Sequence, residues 1–295
     1  MFSLTSGTSA RRLATAFVVI GAALWTVSAA ADALRNPSVM GDEIFQPSVG
    51  QAGKDVIWVP TDDELVRVML EAANVTPNDL VFDLGAGDGK IAIAAARDFG
   101  ATSVGIEYNP DMAALAQRNV ERANLTDRVR IIRGDIFEED FSNATVVTLY
   151  LLPHLNMKLR PTLLDMRPGT RIVSNSFDMQ DWRADEVIGT EFRTGYFWIV
   201  PAKVAGDWSL QGMAENDQVD LTLSQRFQEV DGTVSVNGVQ QALIEPTLRG
   251  DNLSFAYIDR QGNERLVELK VAGDRMAGQM NHAGVSVAVS AARVQ

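Results

Sequence analysis

The sequence predicts an α/β chain, with a doubly wound and mostly parallel sheet followed by a small antiparallel β-barrel or sandwich. Between Asp62 and Lys203, strand-like apolar runs alternate with helical patterns, the order expected of a parallel sheet covered on both faces. After Val204 the chain turns to short alternating strands separated by turn pairs such as Asp231-Gly232, Asn237-Gly238 and Gly273-Asp274, with no helical period of useful length. A glycine turn, Gly85-Ala86-Gly87-Asp88-Gly89, joins a buried strand to a helix, and strand ends of this kind are where open α/β sheets bind ligands.

The elements follow in order. Residues 1–33 read as a signal peptide or membrane anchor: Arg11 and Arg12 precede an apolar run from Leu13 to Val27 that ends in small residues through Ala33, the three-part layout of an export leader. Cleavage after Ala31 or Ala33 fits this layout. An uncleaved anchor, associated with a membrane through residues 13–31, is the alternative, because that stretch is close to the about 20 residues needed to cross a bilayer. Either way the remainder is sent across, to the periplasm or the membrane's outer face. Residues 34–58, rich in Pro, Gly and Ser up to Lys54, read as a linker or lid.

Residues 59–203 carry the α/β pattern. Helices are expected at Asp62 to Ala73, Lys90 to Phe99, Asp111 to Ala123 and His154 to Leu164. Strands are expected at Leu80 to Leu84, Ser103 to Glu107, Val129 to Arg133, Ala144 to Tyr150 and Arg171 to Ser174, then a hairpin of Ala184 to Phe192 and Gly195 to Pro201. The hairpin places one antiparallel strand in the sheet, because its connection is too short for a crossover helix. Residues 204–295 form the all-β part, with strands around Val219 to Leu223, Val234 to Val236, Leu253 to Ile258, Leu266 to Val271 and Val285 to Ala291.

Composition excludes several chemistries. The 295 residues are 46% hydrophobic and 22% charged, as expected of a folded chain with a sizeable core. Twenty-six basic against 38 acidic side chains give a net charge of −12, which argues against general nucleic-acid binding and favours a basic partner. With no cysteine, thiolate metal sites and cysteine nucleophiles are ruled out, and two histidines far apart, His154 and His282, do not suggest a metal site. No metal is expected. His154, at a helix start, reads as structural.

The chemistry concentrates at three strand ends. In the glycine turn, residues without Cβ atoms adopt positive φ and let a ligand lie against the backbone at a helix N-terminus. The pattern is GxGxG, with Lys90 where a dinucleotide fold has its third glycine, so pyrophosphate is disfavoured. Asp83, just before the turn, suits a cationic or amino group. Glu107 ends the next strand, about 20 residues after the glycine turn, where an acid accepts both hydroxyls of a ribose. Asp135 ends the strand after that and suits an exocyclic amine such as adenine's. Thr61, Asp62 and Asp63 read first as helix caps and second as cofactor-loop contacts.

Together, Asp83-Leu84-Gly85-Ala86-Gly87-Asp88-Gly89, Gly105-Ile106-Glu107 and Gly134-Asp135 resemble the nucleoside-binding motifs of class I S-adenosylmethionine-dependent methyltransferases. The resemblance runs from about Pro60 to Pro201. It implies a seven-stranded, Rossmann-like methyltransferase sheet with S-adenosyl-L-methionine as cofactor. The cofactor-binding set it implies is Asp83, Gly85, Ala86, Gly87, Asp88, Gly89, Glu107, Tyr108, Asn109, Asp135 and Ile136. A narrower likeness rests on Val59-Pro60-Thr61, Gly105-Ile106-Glu107-Tyr108-Asn109-Pro110, Leu149-Tyr150-Leu151-Leu152-Pro153, Lys158-Leu159-Arg160, Pro168 to Ser174, and Phe177 with Trp182. These segments are similar to the ATP synthase c-subunit lysine methyltransferase family and its prokaryotic relatives, which implies a protein-lysine substrate. That family lacks a C-terminal β part of this kind and works where the cofactor is made, so the export leader and the cofactor pull in opposite directions.

Because a sulfonium methyl is already activated, the chain needs mainly to align an attacking atom. An attacking lysine must be neutral, which an apolar mouth favours. Tyr150 and Pro153 are placed to line that mouth, with the Tyr150 hydroxyl orienting the amine as the catalytic contribution; an ordinary half-buried strand residue is the other reading of Tyr150. A small-molecule or RNA methyltransferase, and an exported binding protein that keeps the fold without turnover, are the alternative functions.

Overall fold

The computed structural model describes residues 41–51, 53–54, 57–212, 218–282 and 284–294. The leader expected at 1–33 and the first part of the 34–58 segment lie outside the described residues.

Two sheets organise the chain. The first has seven strands in the order β3-β2-β1-β4-β5-β7-β6: β1 (Leu80–Leu84), β2 (Thr102–Glu107), β3 (Val129–Arg133), β4 (Val146–Leu149), β5 (Arg171–Asn175), β6 (Glu186–Gly189) and β7 (Thr194–Ile199). Pairings from β3 through β5 are parallel, and β7 runs antiparallel to both β5 and β6. Four helices pack on it: α1 (Asp63–Ala72), α2 (Lys90–Phe99), α3 (Pro110–Arg122) and α4 (Pro153–Leu164).

Local chemistry sets the boundaries. α1 starts where the Asp62 carboxylate accepts from the backbone of Glu64 and Leu65, and α3 where Asn109 accepts from Asp111 and Met112 ahead of Pro110, both strong caps for exposed helix amides. α2 has no side-chain cap: Gly89, at φ +84°, introduces it. In the first sheet and its helices the expected elements are present with small shifts, the largest in the hairpin. The strand expected to reach Phe192 stops at Gly189, because Thr190 N–H bonds to Arg193 O at 2.9 Å and closes the turn there.

Chain order reverses at β1. The chain leaves β1 for β2 on one side and returns to β4 on the other, which opens a crevice between the connections at their carboxyl ends. Register then decides what meets there. Asp83 of β1 lies opposite Gly105 of β2 and Thr148 of β4, and Glu107 is the last residue of β2. Gly105 has a packing role, since a Cβ at this position would stand 2.8 Å from Ala86 Cβ in the glycine turn.

The second sheet has nine antiparallel strands in the order β11-β10-β9-β8-β16-β15-β14-β13-β12. They are β8 (Gly206–Gln211), β9 (Val219–Arg226), β10 (Glu229–Val236), β11 (Val239–Ala242), β12 (Ile244–Arg249), β13 (Asn252–Ile258), β14 (Glu264–Ala272), β15 (Arg275–His282) and β16 (Val285–Arg293). It curls into a near-barrel. Its edges come together where Gln241 exchanges two hydrogen bonds with the Ile258 backbone and Leu243 N–H bonds to Gly232 O at 3.1 Å. Trp208, Leu221, Phe255 and Val267 fill the interior. Of the two forms expected, barrel and sandwich, the curled single sheet is the barrel. The two sheets meet across Ala202 N–H to Gly250 O and across the β9–β10 turn, whose Phe227 packs into the core of the first sheet.

Candidate functional site

The crevice at the β1 switch is lined by the glycine turn, by Asp83 and Glu107, by Trp58 to Thr61, and by Tyr150, Leu151, Leu152 and Phe177. Its floor is acidic. Asp83 is 2% exposed; its Oδ1 accepts from the Thr148 hydroxyl at 2.7 Å, and its Oδ2 has no hydrogen-bond partner among the described residues. Burial pushes this carboxyl up to about 7, the Thr148 bond opposes the rise, and the neighbouring Asp88 and Glu107 carboxylates add to it. A buried carboxylate with one oxygen unpaired is costly, and a cation received there would offset the cost.

Glu107 is held by backbone. Its Oε2 accepts from Gly87 N–H at 2.9 Å and its Oε1 from Asn109 N–H at 2.8 Å, which leaves each carboxylate oxygen with further accepting capacity. Burial raises its pKa, and the amides of Asn109 and Gly87 counter the rise. Asp88 is likewise raised by burial, with Lys90 pulling the other way. Gly87, at φ +56°, lies under Trp58: a Cβ there would stand 2.7 Å from the Trp58 Nε1. The cradle therefore offers one unpaired carboxylate, one acid with two free acceptor positions and a helix start without a side-chain cap. This donor and acceptor set fits a ligand bearing an ammonium and neighbouring hydroxyls better than it fits a pyrophosphate.

Of the residues expected at the site, Asp83, Gly85, Ala86, Gly87, Asp88, Glu107, Asn109 and Tyr150 line the crevice. Others stand elsewhere. Gly89 is the left-handed entry to α2, and a Cβ there would meet Ala116 Cβ at 3.2 Å, so it serves helix packing. Tyr108 is half exposed, with the Lys54 ammonium 4.8 Å from its ring centre. Asp135, expected to accept from an adenine amine, is ion-paired with Lys54, which holds its carboxyl below the ordinary range. Ile136 packs half-buried against the core of the sheet. Pro153, expected at the mouth, is the exposed first residue of α4, next to Leu151 and Leu152, which line the crevice. Thr61, read as a cap, lines the crevice while Asp62 does the capping.

Sequence reasoning missed Trp58, Met112, Gln51 and Gly53. A lone tryptophan ahead of Val59-Pro60 in a segment without periodicity was the available signal. Lys90, noted only as a departure from the dinucleotide pattern, donates to Thr61 O at 3.0 Å and pairs with Asp63 at 2.8 Å, tying the start of α1 to the start of α2. On the far wall, the rings of Tyr150 and Phe177 stack with centroids 6.4 Å apart.

The chain is similar to several known proteins. The family model described as the ANTKMT methyltransferase domain matches residues 83–186. A protein-lysine N-methyltransferase of Saccharolobus islandicus is 46% identical over 138 residues, which cover 46% of this chain and 86% of that protein. The Mus musculus lysine N-methyltransferase named for the ATP synthase c-subunit is 26% identical over 186 residues, 63% of this chain and 70% of that one. Among solved structures, an RNA methyltransferase from Salinibacter ruber in complex with S-adenosyl-L-homocysteine shares 48% identity, with a TM-score of 0.49, over 50% of this chain and 96% of that chain.

The ionisation of Asp83 carries a stability cost. Its folded pKa, about 7, lies above the unfolded value of about 3.9, so the free protein loses stability as pH rises between these two values. Asp83→Asn removes the charge, so its melting temperature should exceed that of the parent at pH 8 and the advantage should disappear at pH 4. Thermal melts across this range check the expectation, and an advantage independent of pH contradicts it.

Proposed function

Because the chain belongs to the ANTKMT methyltransferase family and is an S-adenosylmethionine-dependent methyltransferase, we propose that it methylates lysine side chains of a protein acceptor. The observation that carries the cofactor part of this reading is the buried Asp83 carboxylate with its unpaired oxygen at the crevice floor, and the apolar wall of Tyr150, Leu151, Leu152 and Phe177 carries the acceptor part. Bound S-adenosylmethionine supplies a methyl group activated on a sulfonium. In this reading Asp83 receives the ammonium of the cofactor's methionine part, and Glu107 accepts from its ribose hydroxyls. Gly85, Ala86 and Gly87 let the ligand lie against the backbone, and Trp58 covers it. Asp135, ion-paired with Lys54, stays the candidate acceptor for the adenine amine, since a carboxylate can accept beyond that pair.

The acceptor enters past Tyr150, Leu151, Leu152 and Phe177. Apolar side chains there penalise the ammonium form of an incoming lysine and favour the neutral amine that can attack. The Tyr150 hydroxyl orients that amine, and the stacked Phe177 fixes the Tyr150 ring. No strong base is needed, since the rate gain comes from alignment. The lysine reading is further supported by the name carried by the Saccharolobus islandicus relative, and the chain's acidic balance suits a basic acceptor. The reading includes export or membrane attachment through the leader pattern of residues 1–33.

The acceptor class is tested by incubating the full chain with tritiated-methyl S-adenosylmethionine and an extract of its own cells deleted for the protein. Label should enter protein and be recovered as methylated lysine after acid hydrolysis. Label confined to RNA or to small molecules, or none transferred, contradicts the reading. Export is tested by amino-terminal sequencing of the chain from fractionated cells: a start at Asp32 or Leu34 outside the cytosol is expected for a cleaved leader, and an intact start in the cytosolic fraction contradicts both export and anchoring.

A further inference from the structure

One turn of the barrel packs against the segment that follows Phe177 of the crevice wall. Between β9 and β10, Arg226, Phe227 and Gln228 lie against the segment that follows β5, residues 176–183. The Phe227 ring stacks on Trp182 at 6.1 Å and 24°. Trp182 is fully buried, and its Nε1 donates to Gln228 Oε1 at 3.0 Å, while Gln228 Nε2 donates back to Arg183 O at 2.6 Å. Phe227 belongs to the barrel by sequence but packs with the core of the α/β sheet, and it holds a left-handed backbone, φ +57°, to do so. Such a conformation is strained for a residue with a Cβ, so its ring contacts must compensate.

Charges reinforce the contact. Asp181 pairs with Arg160 of α4 and, at 3.0 Å, with Arg226 of the turn. Both guanidinium groups lie over the Phe227 ring, 5.5 and 5.8 Å from its centre, within the range of cation–π attraction. Arg160 also donates to Met179 O at 3.1 Å. The other end of the segment is held by buried Asn156, whose amide donates to Phe177 O and Asp178 O at 3.2 Å each. Phe177 in turn stacks on Tyr150 at the crevice. The barrel turn is therefore linked to the aromatic wall through Trp182 and the chain segment 177–182.

We propose that Phe227 and Gln228 are positioning residues for the methyl acceptor, and that the barrel serves the reaction by holding the Phe177–Tyr150 wall in place. This inference rests on the reading of that wall as the acceptor's side of the crevice. The donor side, built from β1, β2 and the start of α2, has no part in that link and stays unaffected.

The test uses the full chain with Phe227→Ala, Gln228→Ala and Phe227→Tyr, the last of which keeps the ring. In the two alanine variants, amide hydrogen exchange across 177–182 should rise about tenfold with S-adenosylhomocysteine bound, while exchange across 85–91 and the dissociation constant for that ligand stay within twofold of the parent. In the labelled-methyl assay, the extract concentration giving half-maximal transfer should rise several-fold with little change in the maximal rate, and Phe227→Tyr should restore both readouts. Unchanged exchange across 177–182 overturns the proposal, as does faster exchange with unaltered acceptor saturation, or weakened ligand binding that shows a general loss of structure. If the parent transfers no label to protein, the lysine reading fails separately, while the exchange measurement, which needs no acceptor, still decides whether the turn holds the wall.

Discussion

The site depends on a carboxylate kept out of water with one of its oxygens unpaired. Asp83 stands in the middle of a sheet, where burial and the like charges of Asp88 and Glu107 outweigh the help of the Thr148 hydroxyl and the Ala92 backbone, and folding alone gains little from an acid there. The arrangement makes sense once a cation is counted as part of the site. Parallel register brings the pieces together: Thr148 on one neighbouring strand supplies the single hydroxyl that orients Asp83, and Gly105 on the other clears space for the glycine turn. A one-residue slip in either pairing would turn these groups to the opposite face. Cofactor recognition is thus written into strand register as much as into the turn.

Around that centre the chain separates two tasks. In the proposed reading, the donor is met by backbone and by acids on rigid elements. The acceptor is met by Tyr150 and Phe177, which sit on connections after β4 and β5. Connections are more mobile than strands, and here one of them is braced by an aromatic and ionic cluster that draws on both sheets. Segments before α1 close the other flank, with Trp58 over Gly87 and Lys54 on Asp135.

Much of this was legible in the sequence. The β1 strand and the α2 helix could be read to the residue, because a fully buried strand and a glycine at each end of a helix leave strong marks. Asp83, Glu107 and the glycine turn could be assigned to one site because strand ends in an α/β sheet share one edge. What could not be read depended on partners far away in sequence. Nothing local to Asp135 announced its ion pair with Lys54, 81 residues earlier. Pro153 and Leu152 are adjacent, and only the start of α4 decides which one faces the crevice. The barrel turn carries no motif, since Phe227 and Gln228 acquire meaning only through Trp182 on the other sheet.

The central claim, that Asp83 is held ready for a cation, is tested most directly by titrating the protein with S-adenosylhomocysteine calorimetrically at pH 6 and pH 8, in buffers of different ionisation enthalpy. With a free-state pKa of about 7 that falls when an ammonium arrives, binding at pH 6 should release close to one proton and be several-fold weaker than at pH 8, and Asp83→Asn should abolish the release. Equal affinity at the two pH values, with heats independent of buffer, would contradict the account.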